Sequence, residues 1–393
     1  MSSKLRKPNS WTRRALLGGG FVVVASSAAG IWRGIDTGVI APDQSPYDPW
    51  QDWEASKMGD PLSLVSAAIL AASPHNTQPW LFKVVGDSIS IFADEDRNLG
   101  SFDPYRREMW HGLGCAIANI EIGAPAHGFI ASTQLVPDLN QPRLAAKITL
   151  SRAQGAIDPL TQMIVKRTTN RASYVPGKIP NNALLLNATP PNSDRVHIIW
   201  LDATSLAGKT MASQSVVATE KIIADKKMSG DSYSWFRHSP KQVAKYRDGP
   251  QATVAGIDPT FAKLSPLLPE LSAEESDRYW LASTKRQLET APVFGFVMVR
   301  DLYDRQSQLL AGAAWQRLHL SLTKVGLAAQ PINQIIEWVD REKELRQPPA
   351  MATFLTTITG QTDWMPTFAF RAGYATRTMP HSARRKLEDV MLT

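Results

Sequence analysis

Apolar and polar positions divide the chain into helix-like and strand-like stretches. DPLSLVSAAILAAS (60–73) carries small and apolar residues at helical spacing, with Asp60 placed to cap and Pro61 in the first turn. WLFKVVGDSISIFAD (80–94) reads as two strands turning at Gly86-Asp87. A long helix follows over 103–129, ending near Gly128, and RLAAKITL (143–150) is a strand. After 158–180, the order resumes: a strand at RVHIIWLD (195–202), a helix at 203–227, a strand at APVFGFVMV (291–299) and a long helix at 304–328. PTFAFRAGY (366–374) is a strand, and HSARRKLEDVM (381–391) is expected as a final helix. Met228 to Tyr279 lacks clear periodicity and reads as an insertion of loops and short helices. The stretch from Cys115-Ala116 to Gly128-Phe129 echoes the equally long stretch from Ala313-Ala314 to Gly326-Leu327. Chance likeness of two buried helices and repetition of one element both account for that.

The chain has 393 residues, 43% of them hydrophobic, enough for two domains or one large one. The single cysteine, Cys115, excludes an intrachain disulfide and lies in an apolar run, as a packing thiol does. The seven histidines show no HExxH-type spacing, so no protein-bound metal is expected.

The net charge of +7 suggests a nucleic-acid partner until its location is considered. Lys4, Arg6, Lys7, Arg13, Arg14 and Arg33 fall within residues 1–33, which hold no Asp or Glu. Removing those six charges leaves the remainder near neutral, so no nucleic acid is expected. The basic start, the paired arginines of TRRALL and the uncharged run from Ala15 to Trp32 resemble a twin-arginine export signal. The expectation is a protein handled by the twin-arginine machinery, periplasmic or anchored to the membrane by residues 15–32. Residues 34–55 then form a linker over the surface.

Three polar clusters remain. SPHNTQPW (73–80) sets Ser73, His75, Asn76 and Gln78 between two apolar segments. KRTTNR (166–171) alternates Arg167, Thr169 and Arg171, which an extended chain turns to one side. Two guanidiniums and a hydroxyl suit a phosphate, although a solvated basic run has the same composition. Arg384 and Arg385 lie in the third cluster, where an Arg384–Glu388 pair on a helix is the simpler account. No glycine-rich phosphate loop and no G-x-S-x-G is present. The residues themselves support a phosphate-bearing organic ligand held by arginines from one half and amides from the other. They nominate no catalytic set.

ASPHNTQPW followed by a strand resembles the A-P-S-x-x-N-x-Q-P-W pattern of the nitroreductase-like FMN-binding family. Ser73, Asn76, Gln78, Pro79 and Trp80 fall on it, while Ala72 stands where that family usually has Pro. KRTTNR resembles the family's R-x-S-x-R phosphate clamp, through Arg167, Thr169 and Arg171. The clamp usually comes first, and the chains form intertwined homodimers in which one chain's loop meets the other's clamp. Here the clamp follows the loop. That order resembles the internally fused, Acg-like branch, as do WQRLHLSLTKVGLAAQP, FRAGY and RRKLEDV.

The resemblance implies an α+β fold in which two halves, about 56–155 and 156–393, form a pseudo-dimer in one chain. Each half would be a central sheet flanked by helices, with a lid at about 226–280. It implies a monomer with one FMN, held by Ser73, His75, Asn76, Gln78, Arg167, Thr169, Arg171, Leu327, Gln330 and Arg384. The implied activity is an FMN-dependent oxidoreductase, moving electrons from NAD(P)H or another donor to nitro or quinone-like acceptors. The alternative is a non-enzymatic protein that sequesters flavin beneath the lid.

Overall fold

The computed structural model describes residues 28–393, apart from 54 and 154. The export leader falls mostly on residues 1–27, outside the described residues. Helix α1 (Ala28–Asp36) and the single turn α2 (Pro49–Asp52) lead into α3 (Pro61–Ala68), where Asp60 accepts from Leu62 N at 2.9 Å. Then come β1 (Trp80–Val85), β2 (Ser88–Ala93), α4 (Arg107–Gly123), β3 (Phe129–Leu135) and β4 (Leu144–Arg152). The second half holds α5 (Asn182–Ala188), β5 (Val196–Asp202) and α6 (Leu206–Ala224). An insertion follows, with α7 (Lys226–Ser234), α8 (Pro240–Tyr246), α9 (Pro259–Leu264) and α10 (Ala273–Glu289). The half closes with β6 (Val293–Val299), α11 (Arg305–Lys324), β7 (Ala328–Pro331), α12 (Gln334–Glu344), α13 (Ala350–Thr359) and β8 (Met365–Gly373).

The protein is α+β, with two four-stranded antiparallel sheets flanked by helices. Their strand orders, β1-β2-β4-β3 and β5-β6-β8-β7, are the same order written twice. Each sheet also inserts its long helix between its second and third strands. The first-half strand β2 alternates buried and half-buried residues, as a one-sided strand does. In the second half VFGFVMV is buried throughout, because β6 is covered on both faces.

The halves meet where α4 crosses α11. A Cβ on Gly114 would stand 2.0 Å from Leu309 O, and one on Gly312 would stand 2.0 Å from His111 O. The two contacts are reciprocal: each helix offers a glycine to a carbonyl three residues before the other's glycine. That is the signature of a two-fold interface, here within one chain. Cys115 is buried beside it, its Sγ donating to Gly312 O at 3.2 Å, and burial pushes its thiol up to about 12. A buried amide chain ties three helices together. Gln316 donates to Asn119 Oδ1 and accepts from Ala72 N, while Asn119 donates to Ala67 O.

Two expectations are corrected. The linker does not run free over the surface, since Trp50 and Trp53 are only 5% and 6% exposed. Burying two indoles outweighs the polar residues between them. The expected helix at 381–391 is also absent; that segment is irregular except for a 3-10 turn at Glu388–Val390. Its backbone amides bond elsewhere: Arg384 N to Pro46 O, Arg385 N to Gln78 Oε1 and Leu392 N to Phe82 O. Glu388 pairs with Lys386, not with Arg384.

Gly312→Ala should lower the melting temperature, because the methyl must displace a helix backbone. Overpacking of this kind costs about 1–3 kcal/mol. Gly230→Ala, in α7 with open space around its Cβ, should leave stability unchanged or raise it by about 0.5–1 kcal/mol. Equal melting curves for wild type and Gly312→Ala would argue against the close crossing.

Candidate functional site

The loop 73–80 is shaped for contact on several sides. His75, Asn76 and Gln78 all take positive φ (44°, 54° and 53°), a conformation that side-chain-bearing residues adopt at a cost. Tertiary bonds hold it. Ser73 Oγ accepts from Gln78 N at 3.1 Å, and Asn76 Nδ2 donates to Ala383 O at 3.0 Å. Gly112 of α4 lets the loop approach: a Cβ there would lie 3.3–3.4 Å from Pro74, Pro79 and Ser73. Residues 167–171 are extended beside β7, with Thr169 bridging Ala329 and Asn170 N donating to Ala329 O at 3.0 Å. Arg167, Thr169 and Arg171 therefore face one way, as their alternation predicts. They line a cavity of about 630 Å³, within the usual range for small-molecule sites.

The guanidiniums set the character of this cavity. Arg167 and Arg384 are each 3% exposed. Both donate to Leu70 O, at 3.1 and 3.3 Å, and Arg384 also reaches Ala71 O. Two cations thus share the carbonyls that follow α3, the negative end of that helix. Arg384 Nη1 also donates to Asn76 Oδ1 at 2.7 Å, and its guanidinium lies 4.6 Å from the Trp50 ring. Arg171 donates to Val254 O at 3.2 Å. No carboxylate pairs with Arg167, Arg171, Arg371 or Arg384 among the described residues. Nε of Arg167 and of Arg384 is buried with no partner.

Burial drives Arg167 down to about 10. Arg171 falls to about 10 through burial and then Arg371, and Arg384 falls well below its usual range through burial and then Arg167. Burial also takes His75 and His381 down to about 4, so both are neutral at pH 7. Desolvated cations without counter-ions are costly. The arrangement is that of a site for an anion.

The loop, the clamp and the C-terminal arginine come together as the sequence implies. Ser73, His75, Asn76, Arg167, Thr169, Arg171, Gln330 and Arg384 all line the cavity. Gln78 and Leu327 are not part of its lining. Gln78 is fully buried and acts as a bolt, accepting from Arg385 N and donating to Arg247 O at 2.7 Å. Leu327 is packed into the core. Gln330 lies within the network Arg371–Gln330–Gln287, with both bonds at 2.8 Å.

Sequence reasoning missed other lining residues. Trp50 stacks on His381 at 4.1 Å and donates to Ser382 O, closing the wall beside Arg384. Glu108, His111, Gly112 and Cys115 form one lining stripe along α4. Their i, i+3, i+4, i+7 spacing in an otherwise apolar helix was the available signal. The insertion roofs the cavity with Phe236, Phe261, Leu268, Tyr279 and Trp280. It is fastened by Asp248, which pairs with Arg97 and, at 2.6 Å, with Arg237.

Inorganic phosphate should raise the melting temperature, by about 2.7 kcal/mol of stabilisation at a hundred times its Kd. Arg167→Met should abolish that response. The same substitution should make the ligand-free protein more stable by about 1–3 kcal/mol, since it removes an uncompensated buried charge. Thermal melts with and without phosphate read both effects. A phosphate response that survives Arg167→Met would mean that the cluster is not the anion site.

No family model matches the chain. It is 23% identical over 340 residues to "Putative NAD(P)H nitroreductase Rv3131" of Mycobacterium tuberculosis, covering 84% of this chain and 90% of that one. It is 27% identical over 290 residues to "Putative NAD(P)H nitroreductase acg" of the same organism, covering 70% and 80%. Among solved structures it is similar to the FMN-dependent nitroreductase NfnB of Mycobacterium smegmatis in complex with NADPH. That likeness has a TM-score of 0.37 and 16% identity, covering 59% of this chain and 96% of the other. A Bacteroides fragilis nitroreductase with bound FMN matches at TM-score 0.33 and 14% identity, covering 58% and 95%. Over most of its length, then, the chain is similar in sequence to Mycobacterium tuberculosis proteins that carry a nitroreductase name.

Proposed function

We propose that this protein is an FMN-dependent oxidoreductase of nitroreductase type, moving electrons from a reduced nicotinamide or another donor to nitro or quinone-like acceptors. The observation that carries this reading is the set of buried, uncompensated arginines on the cavity wall, in a chain similar to nitroreductase-named proteins. The residues fit FMN. Arg167, Thr169 and Arg171 would hold its phosphate, with Arg384 adding charge, and Asn76 would steady Arg384 from the cavity wall. Bound there, FMN would supply hydride chemistry at its ring. The chain would bind it, orient it and keep water away. The protein should purify yellow, releasing FMN and not FAD on heating, and NADPH added anaerobically should bleach the flavin band. Release of FAD, or no uptake of FMN on reconstitution, would overturn the reading.

A second reading has its own support. The insertion covers the cavity and is fastened by the buried Asp248 pairs, so a flavin beneath it would be shielded from a nicotinamide. The protein would then be a flavin-sequestering protein. A band that resists NADPH yet bleaches with dithionite would favour it.

The repeated sheet order and the reciprocal glycine crossing support a fused pseudo-dimer, with halves at about 56–155 and 156–393. One loop and one clamp occur per chain, so each chain should bind one FMN as a monomer. The TRRALL run supports twin-arginine export to the periplasm, or retention at the membrane through residues 15–32. No helix among the described residues is long and apolar enough to cross a membrane. Replacing both Arg13 and Arg14 with lysine should leave folded protein in the cytoplasm, as fractionation would read. Normal export of that variant would remove the twin-arginine assignment.

A further inference from the structure

The cavity also has an acidic part, separate from the arginines. Glu108 stands in the first turn of α4 and Glu337 in the first turn of α12. Both line the cavity and are buried, at 5% and 6% exposure. Asn333 links them: its carbonyl accepts from Glu337 N at 2.8 Å and its side chain reaches Glu108. Asn333 Nδ2 donates to Glu108 Oε1 at 2.7 Å, while Asn333 Oδ1 is held by Ala369 N at 2.8 Å. No protein donor is aimed at Glu337 Oε2. Two buried carboxyls on one cavity wall, with a single amide donating to one of them, favour keeping a proton.

The neighbours leave that proton in place. Arg107, on α4, is committed to Asp340 of α12 through Nε and Nη2, at 2.9 and 2.6 Å. Asp103, in the turn before α4, accepts from Glu108 N and Met109 N. His111 is paired with Thr367 Oγ1 at 3.1 Å, and burial holds it neutral. Burial, then Asp103, lifts Glu108 to about 7. Burial, then Glu108, holds Glu337 well above the usual carboxyl range. Glu108 sits two turns along α4 from Cys115, roughly 10 Å.

We propose that Glu108 and Glu337 share one proton and deliver it to the acceptor molecule as that molecule is reduced in the cavity. This rests on the oxidoreductase reading above. A quinone that takes a hydride, two electrons with one hydrogen, from reduced FMN needs one further proton to become the hydroquinone. In that step the carboxyl O–H bond of the pair breaks and an O–H bond on the acceptor forms. The two glutamates are left as carboxylates, and water returns the proton.

The test has two parts, both on the full chain. The first is 13C NMR titration of carboxyl-labelled glutamates, with and without FMN. Wild type should show a glutamate titrating near pH 7, shifted in each of Glu108→Gln and Glu337→Gln and absent from the double variant. If every glutamate titrates near the ordinary value of about 4.3, the proposal fails. The second part reduces FMN-loaded protein photochemically and mixes it with an acceptor. Benzoquinone needs a proton; ferricyanide takes electrons without one. Glu337→Gln should slow benzoquinone reduction about a hundredfold and leave the ferricyanide rate unchanged. Glu337→Asp should recover part of the loss. The ferricyanide rate and bound flavin also report that each variant is folded. Equal loss with both acceptors, or no loss with benzoquinone, would overturn the proposal. Failure to load FMN would sink the oxidoreductase reading itself, whereas the titration of the flavin-free chain judges the shared proton separately.

Discussion

Two guanidiniums on one carbonyl group organise this protein. Arg167 and Arg384 lie far apart in the sequence, yet both donate to Leu70 O. Neither has a carboxylate partner among the described residues, so the carbonyls after α3 and of Ser382 and Ala383, the amide of Asn76 and the ring of Trp50 moderate their charge. Each of those groups must therefore be fixed in place. The positive-φ loop, the buried tryptophan and the extended C-terminal segment follow from that need. The C-terminal segment could have closed a helix through its own amides. It spends them on Pro46, Gln78 and Phe82 because it has to bring Arg384 to the carbonyls. Such an arrangement is unfavourable in isolation, and it makes sense as a site whose counter-charge arrives with a ligand.

The symmetry of the scaffold makes the asymmetry of the site informative. The reciprocal contacts pair Gly114 with Gly312 and His111 with Leu309 as equivalent positions. On that correspondence the cavity stripe Glu108, His111, Gly112, Cys115 of α4 matches Gln306, Leu309, Leu310 and Ala313 of α11. The second helix thus has no ionisable group where the first has an acid, an imidazole and a thiol. The strand order was kept in both halves, while the chemistry was kept on one side.

Much of this was legible in the sequence. Alternation and turn residues located six of the eight strands and, of α4, α6, α10 and α11, all but α10, because local pattern and tertiary role agree there. The loop and the clamp were visible as polar runs in apolar surroundings. Strands β3 and β7 were missed. β7 spans only four residues, and its role is set by its neighbours rather than by its own pattern. The C-terminal helix was misread because RRKLEDV has helical spacing, and nothing local reveals that Gln78 Oε1 will claim the amide of Arg385. Gln78 itself looked like a ligand-facing amide. Only the fold shows that both ends of that amide are already engaged by protein.

The remaining question is why one cavity should hold unpaired cations in one part and a retained proton in another. Each alone would be a liability: the cations repel one another, and a buried acid pair cannot lose its proton without placing two negative charges together. Among the described residues neither glutamate pairs with those arginines, so neither group neutralises the other. Arg107, whose charge acts against the raised pKa of both acids, is hydrogen-bonded to Asp340 instead. An anion docked at the arginines is therefore held by charge, while the acid end keeps a neutral, transferable hydrogen. Negative charge brought into such a cavity is stabilised at one place and protonated at the other.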